Sequence, residues 1–302
     1  MSSNAEVKAP PRPAATVMLL REAVDGVEVL MTRRHEKLAF MGGMWVFPGG
    51  TLHSSDASPR MLARIPRPFQ HHCPNFATLS GPTLPTEACL GLAVAACRET
   101  FEETGLLLAV GADGRPCPNE THERLQAERV LVAAQPEHFA ALLEREHLLL
   151  DVDRLVYWAH WITPSSATRR FDTRFFAVSA AVGQAVTADS TETMECRWMS
   201  PAAIAACADR GEMPISPPTL CNVIDLREHY RRHGSLEALL RAESRRRVPP
   251  ILPKMLDEAS QTTVVMPWDT DYASLAGESA PAHIEYPTFL RAQLSRLTLL
   301  RR

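Results

Sequence analysis

Three glutamates at helical spacing are the residues of this chain with the clearest chemical potential. Glu99, Glu102 and Glu103 stand at positions i, i+3 and i+4 of the segment TEACLGLAVAACRETFEETGL, residues 86–106. At about 100° per residue they fall on one side of a helix, where their charges repel one another. Water, a basic neighbour such as Arg98 or a divalent cation must offset that repulsion, and Mg²⁺ and Mn²⁺ prefer oxygen ligands. The spacing therefore allows a metal site, with a solvated acidic helix face as the alternative.

The same segment carries the signals of a helix with a buried face. Thr86 follows Pro85 and is predicted as the N-cap, and Gly105 is predicted to end the helix. Opposite the glutamates, apolar side chains share one stripe: Leu90, Val94, Cys97 and Phe101. The prediction is a helix that packs its apolar side into a core and presents its carboxylates at a site.

The letters around the glutamates match a known pattern. Residues 98–106 read R-E-x-x-E-E-x-G-L, and residues 42–50 read GGMWVFPGG. Together they resemble the signature of the Nudix hydrolases, which is G, five residues, E, seven residues and R-E-U-x-E-E-x-G-U, with U apolar. This sequence departs from it in three ways: Thr100 replaces an apolar residue, Leu90 replaces the early Glu, and Gly50 and Arg98 are 48 positions apart instead of 14, so that 34 residues are inserted.

The resemblance implies an α/β (α+β) fold, the Nudix α/β/α sandwich, in which a mixed sheet lies between helices. It also implies a catalytic Arg98 that pairs with a glutamate, and Mg²⁺ or Mn²⁺ held by Glu99, Glu102 and Glu103, with Glu99 as metal ligand or base. Nudix enzymes commonly supply another carboxylate from a loop before a strand with a tryptophan. By that resemblance we expect Glu192, six residues before Trp198, as the further ligand or base. Glu195 is the second choice for that role.

The segment before the insertion, residues 30–50 (LMTRRHEKLAFMGGMWVFPGG), resembles the coenzyme A signature of CoA-cleaving Nudix enzymes. Arg33 and Arg34 would then bind substrate phosphate, because the guanidinium group contacts phosphate with two parallel hydrogen bonds. Gly49 and Gly50 would let the backbone come close to the substrate. The alternative is that the two arginines form a solvated strand end. The order of later segments is similar to the split-box branch, that is, the mammalian-type (peroxisomal) coenzyme A diphosphatases and their bacterial relatives.

The predicted domain organisation depends on composition at the N-terminus and on the extent of the Nudix resemblance. Residues 1–13 are polar and rich in proline and are predicted to be a disordered tail. Residues 14–233 are predicted as the catalytic domain, with residues 51–85 as an irregular insertion over the site. Residues 234–302 are predicted as a C-terminal extension packed on the domain.

Alternation and turn signals predict the remaining elements. Strands are predicted over residues 14–21, 27–34, 44–47, 106–110, 154–163, 169–179, 196–199 and 262–266. Further helices are predicted over residues 123–134, 136–147, 201–210, 217–233 and 236–244. Arginines concentrated between positions 227 and 247 are interpreted as a solvated face, with a homodimer or phosphate contact as the alternative.

The overall composition argues against nucleic-acid-binding, disulfide-rich, zinc-binding and membrane-spanning proteins. The net charge of −3 and the pI near 6.4 provide no basic field for nucleic acid. Seven cysteines without a C-x-x-C pair argue against disulfides and a zinc site, and eleven histidines show no close ligand set. No apolar run reaches the roughly 18–20 residues that a membrane span requires, and the N-terminus lacks a secretory signal. We therefore expect a cytoplasmic protein with no nucleic-acid or membrane partner, and the Nudix resemblance implies a small nucleotide substrate.

Three functions remain open from sequence. The first is hydrolysis of coenzyme A or acyl-CoA to 3′,5′-ADP and (acyl-)4′-phosphopantetheine. The second is Nudix hydrolysis of another nucleotide, such as NADH, ADP-ribose or a nucleoside triphosphate. The third is a catalytically silent domain that binds a nucleotide, which the intact R-E-x-x-E-E-x-G disfavours and the missing early Glu keeps open.

Overall fold

The computed structural model describes residues 10–66, 76, 78–79, 83–180, 183–257, 261–293 and 295–300. The strands are, in chain order, Arg12–Ala23 (β1), Gly26–Arg34 (β2), Trp45–Val46 (β3), Gly49–Thr51 (β4), Ala109–Gly111 (β5), Leu148–Leu150 (β6), Val156–Ile162 (β7), Phe171–Ser179 (β8), Thr193–Met199 (β9), Pro250–Ile251 (β10), Lys254–Asp257 (β11), Gln261–Val265 (β12) and Leu297–Leu300 (β13). The α-helices are Pro59–Leu62 (α1), Thr86–Thr104 (α2), Asn119–Leu125 (α3), Arg129–Ala134 (α4), His138–Arg145 (α5), Pro201–Asp209 (α6), Pro217–His233 (α7), Leu236–Glu243 (α8) and Thr288–Gln293 (α9).

A mixed sheet forms the centre of the fold. Its strand order is β10-β7-β8-β1-β2-β3, with β4 paired to β1 and β9 paired to β2. The pairs β1–β8 and β10–β7 are parallel, whereas β1–β2, β7–β8, β2–β9 and the short pairs with β3 and β4 are antiparallel. This arrangement confirms the predicted mixed sheet and the predicted fold class.

Alternation along β1 divides the core into two layers. Ala15, Val17 and Leu19 pack in the same cluster as the apolar residues of α2, whereas Met18 and Leu20 pack in the cluster that contains residues of α6, α7 and α8. Because successive side chains of a strand point to opposite faces, the sheet has α2 on one face and the C-terminal helices on the other. The predicted α/β/α sandwich is therefore confirmed.

The acidic helix α2 differs from its prediction at the N-terminus. Its N-cap is Pro85, no side chain caps it, and Thr86 is its first helical residue, so Thr86 is not the cap. Proline fixes the extended backbone that precedes a helix, which leaves the hydroxyl of Thr86 without a capping role. The predicted end is confirmed, because Gly105 has φ of 76° and its N–H donates to the carbonyl of Phe101.

The insertion is more regular than predicted. After Thr51 the chain forms a 3₁₀ turn at Ser54–Ala57 and then α1, whose N-cap Ser58 accepts from the N–H of Met61. Residues 67–75, 77 and 80–82 of the predicted insertion lie outside the described residues. Phe76 packs on Tyr157 of the sheet, with 4.5 Å between ring centroids. The described part of the insertion therefore covers the face of the sheet that α2 also covers.

Between α2 and β7 the structure differs from the prediction in two places. In place of the one helix predicted over residues 123–134, the structure has α3, a 3₁₀ turn at Gln126–Glu128 and α4. Strand β6, which the sequence did not predict, pairs with β5. Its Leu148, Leu149 and Leu150 lack the polar alternation that identifies a strand from sequence.

The chain after residue 233 contributes to the main sheet as well as to a small sheet of its own. Strand β10 pairs with β7, and β11, β12 and β13 form a three-stranded antiparallel sheet. Strand β1 begins at Arg12, inside the predicted tail, and residues 1–9 lie outside the described residues. The division into domain and extension stays a prediction. Within the described residues, no helix combines the length and apolar character needed to cross a membrane.

Candidate active site

The three predicted ligands lie together on the last turns of α2. Glu102 and Glu103 are buried, and the Glu99 side chain is only 15% exposed. The carboxylate of Glu99 lies against the backbone of Gly50, because a Cβ built on Gly50 would stand 2.4 Å from Glu99 Cδ. A Cβ on Gly49 would stand 2.4 Å from the carbonyl oxygen of Ala15. Close approach of the β1 backbone therefore requires glycine at position 49, whereas a side chain at position 50 would displace the Glu99 carboxylate. The contact of both glycines with substrate stays a prediction.

Arg98 is buried and forms ion pairs with the carboxylates of Asp56, Glu99 and Glu102. Its side chain is 3% exposed, and it donates to Asp56 over 2.8 and 3.0 Å and to Glu102 over 2.8 Å. Its Nη1 lies 3.0 Å from Glu99 Oε1, and its Nη2 donates to the carbonyl of Thr51 over 3.2 Å. Burial alone would lower the pKa of Arg98, but the hydrogen bond with Asp56 and the surrounding carboxylates raise it, so Arg98 stays charged. The predicted pairing of Arg98 with a glutamate is thus present.

Burial raises the pKa values of the three glutamates, because a buried carboxylate loses hydration that stabilises its charge. It raises the pKa of Glu99 to about 7, against the opposing charge of Arg98. It raises the pKa of Glu102 as well, and that of Glu103 well above the usual range, because Glu99 adds its charge to the burial of Glu103. Glu103 Oε2 is buried and has no hydrogen-bond partner among the described residues. An orphaned carboxylate oxygen beside two further carboxylates fits a divalent cation with oxygen ligands.

The two candidates for the further carboxylate lie in different places. Glu192 is exposed, directly before β9, and its charge raises the pKa of Glu102 and of Glu103. Its carbonyl accepts from the N–H of His35 over 2.7 Å, which fixes it beside the end of β2. Glu195 instead forms an ion pair with Arg197 on the opposite face of the sheet. The geometry therefore favours Glu192 over Glu195, and its catalytic role stays a prediction.

The two arginines predicted to bind phosphate, Arg33 and Arg34, lie in different surroundings. Arg34 follows Leu30 and Thr32 on the α2 face of the sheet, and its charge lowers the pKa of Glu103, against the larger effect of burial. Its Nε donates to the carbonyl of Phe40 over 3.3 Å. Arg33 forms an exposed ion pair with Glu36. Arg34 thus lies near the carboxylates, whereas Arg33 is a solvated strand-end residue in this structure.

Two residues of the site were not singled out as its supports by sequence. Asp56 is buried and holds both Nε and Nη2 of Arg98, while its Oδ2 also accepts from the N–H of His53. The residue three positions before Asp56 is His53, not the serine or threonine of a capping box, so no local signal identifies Asp56. Arg129 is buried and donates to the carbonyl of Glu102 over 2.8 and 3.2 Å. No local pattern identifies Arg129, since it stands 27 residues away in the chain.

The departures from the signature have structural explanations. Leu90, in the place of the early glutamate, is buried in the apolar cluster under the sheet and supplies no ligand. Thr100, in the place of an apolar residue, is fully buried and donates its hydroxyl to the carbonyl of Ala96 over 2.8 Å. A threonine that satisfies its own hydroxyl in this way can replace an apolar residue in a core.

Sequence comparison places this chain among known proteins. A family model described as the NUDT19 Nudix domain matches residues 4–226. The acyl-coenzyme A diphosphatase NUDT19 of Gallus gallus is 29% identical over 243 residues, covering 68% of this chain and 64% of that protein. The protein of that name from Homo sapiens is 28% identical over 228 residues, covering 66% of this chain and 60% of that protein. The chain therefore spans less than two thirds of the length of these relatives.

Structural comparison agrees at the level of the fold. The crystal structure of a NUDIX hydrolase from Alicyclobacillus acidocaldarius superposes with a TM-score of 0.60 at 24% identity, covering 78% of this chain and 97% of that chain. At this identity the likeness concerns the fold alone, and it agrees with the sandwich described above.

Proposed function

Since this chain belongs to the family of the NUDT19 Nudix domain, whose model matches residues 4–226, we propose that it hydrolyses a diphosphate bond in a nucleotide. The substrate that fits best is coenzyme A or acyl-CoA, cleaved to 3′,5′-ADP and (acyl-)4′-phosphopantetheine. Mg²⁺ or Mn²⁺ would be held by Glu99, Glu102 and Glu103.

The observation that carries the proposal is the carboxylate cluster at the end of α2. Three carboxylates have raised pKa values through burial, and one oxygen of Glu103 has no partner among the described residues. A bound divalent cation neutralises phosphate charge and makes a water molecule more acidic. The donor set consists of oxygens only, as Mg²⁺ and Mn²⁺ prefer.

The chain's own residues supply orientation and charge. Arg98 fixes Glu102 and Glu99 through short ion pairs, which keeps both carboxylates in one geometry. The absence of a side chain at Gly50 lets the Glu99 carboxylate lie against the backbone there, which holds Glu99 close to Arg98. Arg34 provides a positive charge near Glu103 that can bind substrate phosphate. Glu192, or Glu99 where it is not a ligand, can accept a proton from the attacking water.

The choice of coenzyme A depends on two observations. The relatives that match this chain are named acyl-coenzyme A diphosphatases, at 27% to 29% identity. In addition, the segment of residues 30–50 brings Arg34 and Gly50 to the carboxylates, as a substrate-binding segment would. Another nucleotide substrate and a silent nucleotide-binding domain are the competing outcomes of the test.

Product analysis by chromatography tests the proposal. The purified protein, with Mg²⁺ or Mn²⁺, is incubated separately with coenzyme A, acyl-CoA, NADH, ADP-ribose and nucleoside triphosphates. We expect 3′,5′-ADP to be released from coenzyme A faster than any product from the other substrates. Faster cleavage of another nucleotide would overturn the substrate assignment and leave the diphosphate chemistry in place.

A variant distinguishes hydrolysis from a contaminant and from a silent domain. Glu102→Gln should abolish product formation, whereas Glu87→Gln, an exposed glutamate at the other end of the same helix, should leave it unchanged. Absence of any cleavage by the wild type would support the silent-domain alternative.

A further inference from the structure

A second group of possible metal ligands lies at the junction of α7 and α8. One ligand atom from each of His229, His233 and Glu243 lies within 4.8 Å of the other two. His229 and His233 are one helical turn apart on α7, and Glu243 ends α8 after the turn at Gly234. The sequence places His229 and His233 four residues apart on a predicted helix, but Glu243 is ten residues beyond His233, so the expectation of no close histidine ligand set did not anticipate this cluster.

The distances are close to those of a coordinated ion. Glu243 Oε1 lies 2.7 Å from His229 Nδ1 and 3.5 Å from His233 Nε2. Ligand atoms about 2.1 Å from a tetrahedral Zn²⁺ stand about 3.4 Å from one another. Of the three separations, the one between Glu243 and His233 already matches, and the one between Glu243 and His229 has to widen by less than about 1 Å. The third, between the two histidine nitrogens, is within 4.8 Å, and side-chain rotation can adjust it.

A surrounding shell orients the ligands. His229 Nε2 lies 3.3 Å from Asp225 Oδ1, so its other nitrogen, Nδ1, faces Glu243. Arg246 lies 3.0 Å from Asp225 Oδ2 and 3.6 Å from Glu243 Oε2, which leaves Glu243 Oε1 directed at the histidines. A carboxylate on the far nitrogen of a histidine is the usual support of a metal-binding imidazole.

This cluster is separate from the carboxylates of α2. Helices α7 and α8 pack their apolar residues on the face of the sheet opposite α2. His229 lies edge-on to Trp158 of β7, with 5.7 Å between ring centroids. His233 is 24% exposed, so an ion and a water ligand can reach the cluster from solvent.

We propose that His229, His233 and Glu243 bind a transition-metal ion of the Zn²⁺ class, with water as the fourth ligand. Two imidazoles and one carboxylate suit Zn²⁺ better than Mg²⁺, which prefers oxygen ligands alone. The ion joins the end of α7 to the end of α8 across the turn, and so ties the C-terminal helices together. Its role is structural, because the cluster and the carboxylates of α2 lie on opposite faces of the sheet.

Equilibrium dialysis against Zn²⁺ tests the site directly. The full chain is stripped with a chelator and then titrated in excess Mg²⁺, which occupies oxygen-only sites. We expect one Zn²⁺ per chain, and at least about tenfold weaker binding in His233→Gln, since even indirect support of a ligand is worth that much. His283→Gln, an exposed histidine elsewhere in the C-terminal region, is the matched control and should bind Zn²⁺ as the wild type does.

Two further readouts keep the test decisive. Zn²⁺ should raise the thermal unfolding temperature of the wild type and of His283→Gln, but not that of His233→Gln. Co²⁺ bound to the wild type should give the visible bands of a four-coordinate site with nitrogen ligands, a result that needs no variant to fold. Equal Zn²⁺ affinity of the wild type and His233→Gln, or no Zn²⁺ bound in excess Mg²⁺, would overturn the proposal and leave a proton shared between His229 and Glu243.

Discussion

At the scale of single residues, neighbouring arginines of β2 have different surroundings. Arg34 acts electrostatically on Glu103, and Arg33 pairs with the exposed Glu36. Adjacent residues of a strand point to opposite faces, so only one of the two can face the carboxylates. The pair therefore provides an internal comparison of charge at the site and charge on the surface.

We predict that Arg34→Ala lowers kcat/KM for coenzyme A by about 10- to 100-fold, the worth of one hydrogen bond to a charged group. Arg33→Ala should change it by less than about threefold, because an exposed ion pair contributes little. Steady-state kinetics with coenzyme A and dephospho-CoA measure both. A larger loss for coenzyme A assigns Arg34 to the 3′-phosphate, and an equal loss assigns it to the diphosphate. Equal effects of the two variants would refute the difference between the arginines.

The buried pair of Asp56 and Arg98 supports a prediction about stability. Asp56→Ala would remove the carboxylate that accepts two hydrogen bonds from Arg98, whose side chain is only 3% exposed. Removing one member of a buried ion pair costs about 3–5 kcal/mol of unfolding free energy. Urea denaturation should show a loss of that size, with lower activity because Arg98 also positions Glu102.

The control for this prediction is Asp113→Ala. Asp113 is 60% exposed, pairs with Arg115 over 3.6 Å, and should change the unfolding free energy by less than about 0.5 kcal/mol. A similar small loss for Asp56→Ala would mean that Asp56 does not stabilise Arg98.

At the scale of elements, the end of α2 depends on side chains from α3 and the turn after it. The carbonyl of Gly105 accepts from Gln126 over 2.8 Å and contacts His122 Nε2 at 2.6 Å. Arg129 donates a hydrogen bond to the carbonyl of Glu102. The unpaired carbonyls of the helix end are thus satisfied from the segment between β5 and β6, which fixes the turn that carries the glutamates.

Substitutions at two glycines distinguish the free-energy cost of a left-handed backbone from the cost of losing the hydrogen bond between Gln126 and the carbonyl of Gly105. Gly105 and Gly234 both end helices with φ of 76°, but a Cβ on Gly105 would stand 2.3 Å from Gln126 Oε1, whereas nothing lies within 4 Å at Gly234. We predict that Gly234→Ala lowers the unfolding free energy by about 1–2 kcal/mol, from the left-handed backbone alone. Gly105→Ala should cost about 0.5–1.5 kcal/mol more, the worth of the displaced hydrogen bond.

Urea denaturation of both variants measures the difference. Equal losses would show that Gln126 moves away without cost and that its bond to Gly105 does not hold the helix end.

The sequence predicts elements well where a local pattern carries the information. The end of α2 at Gly105 and the bounds of α7 at Pro217 and His233 agree with the structure, because glycine and proline act locally. Strand β6 and the helical part of the insertion were missed, because a short apolar run and a four-residue helix have no distinctive period.

The site shows the same division between local and distant information. Glu99, Glu102 and Glu103 lie within five residues of one another, and the local pattern that resembles the Nudix signature predicts them as metal ligands. Arg129 and Asp56 reach the same helix from distant segments and could not be placed by sequence alone. The difference between Arg33 and Arg34 depends on which face of β2 is covered, which only the packing of α2 decides.

At the scale of the whole molecule, a buried histidine in the sheet links stability to pH. His160 is fully buried on β7 and contacts Asp172 Oδ1 of β8 at 2.5 Å, beside the buried Arg174. Burial lowers the pKa of His160, although the hydrogen bond with Asp172 opposes the shift. The unfolded chain therefore binds a proton near its ordinary pKa of about 6.5, where the folded chain does not.

The sign of the effect follows from this difference. The contribution of His160 is fully present above about pH 6.5 and is lost as the pH falls towards the lower folded pKa, at up to about 1.4 kcal/mol per pH unit. We predict that the unfolding free energy of the wild type falls more steeply below pH 6.5 than that of His160→Gln. His283→Gln should behave as the wild type does. Parallel curves for the wild type and His160→Gln would contradict the assignment.

The central claim is that the carboxylates of α2 bind the divalent cation with which the chain cleaves a diphosphate. Its most direct test is the rate of 3′,5′-ADP release from coenzyme A, measured against Mg²⁺ and Mn²⁺ concentration for the wild type, Glu103→Gln and Glu87→Gln. We predict metal-dependent release by the wild type and Glu87→Gln, and a loss of about 10²-fold or more in Glu103→Gln, the size expected when one group that stabilises transition-state charge is removed. Undiminished, metal-dependent release by Glu103→Gln would contradict the account.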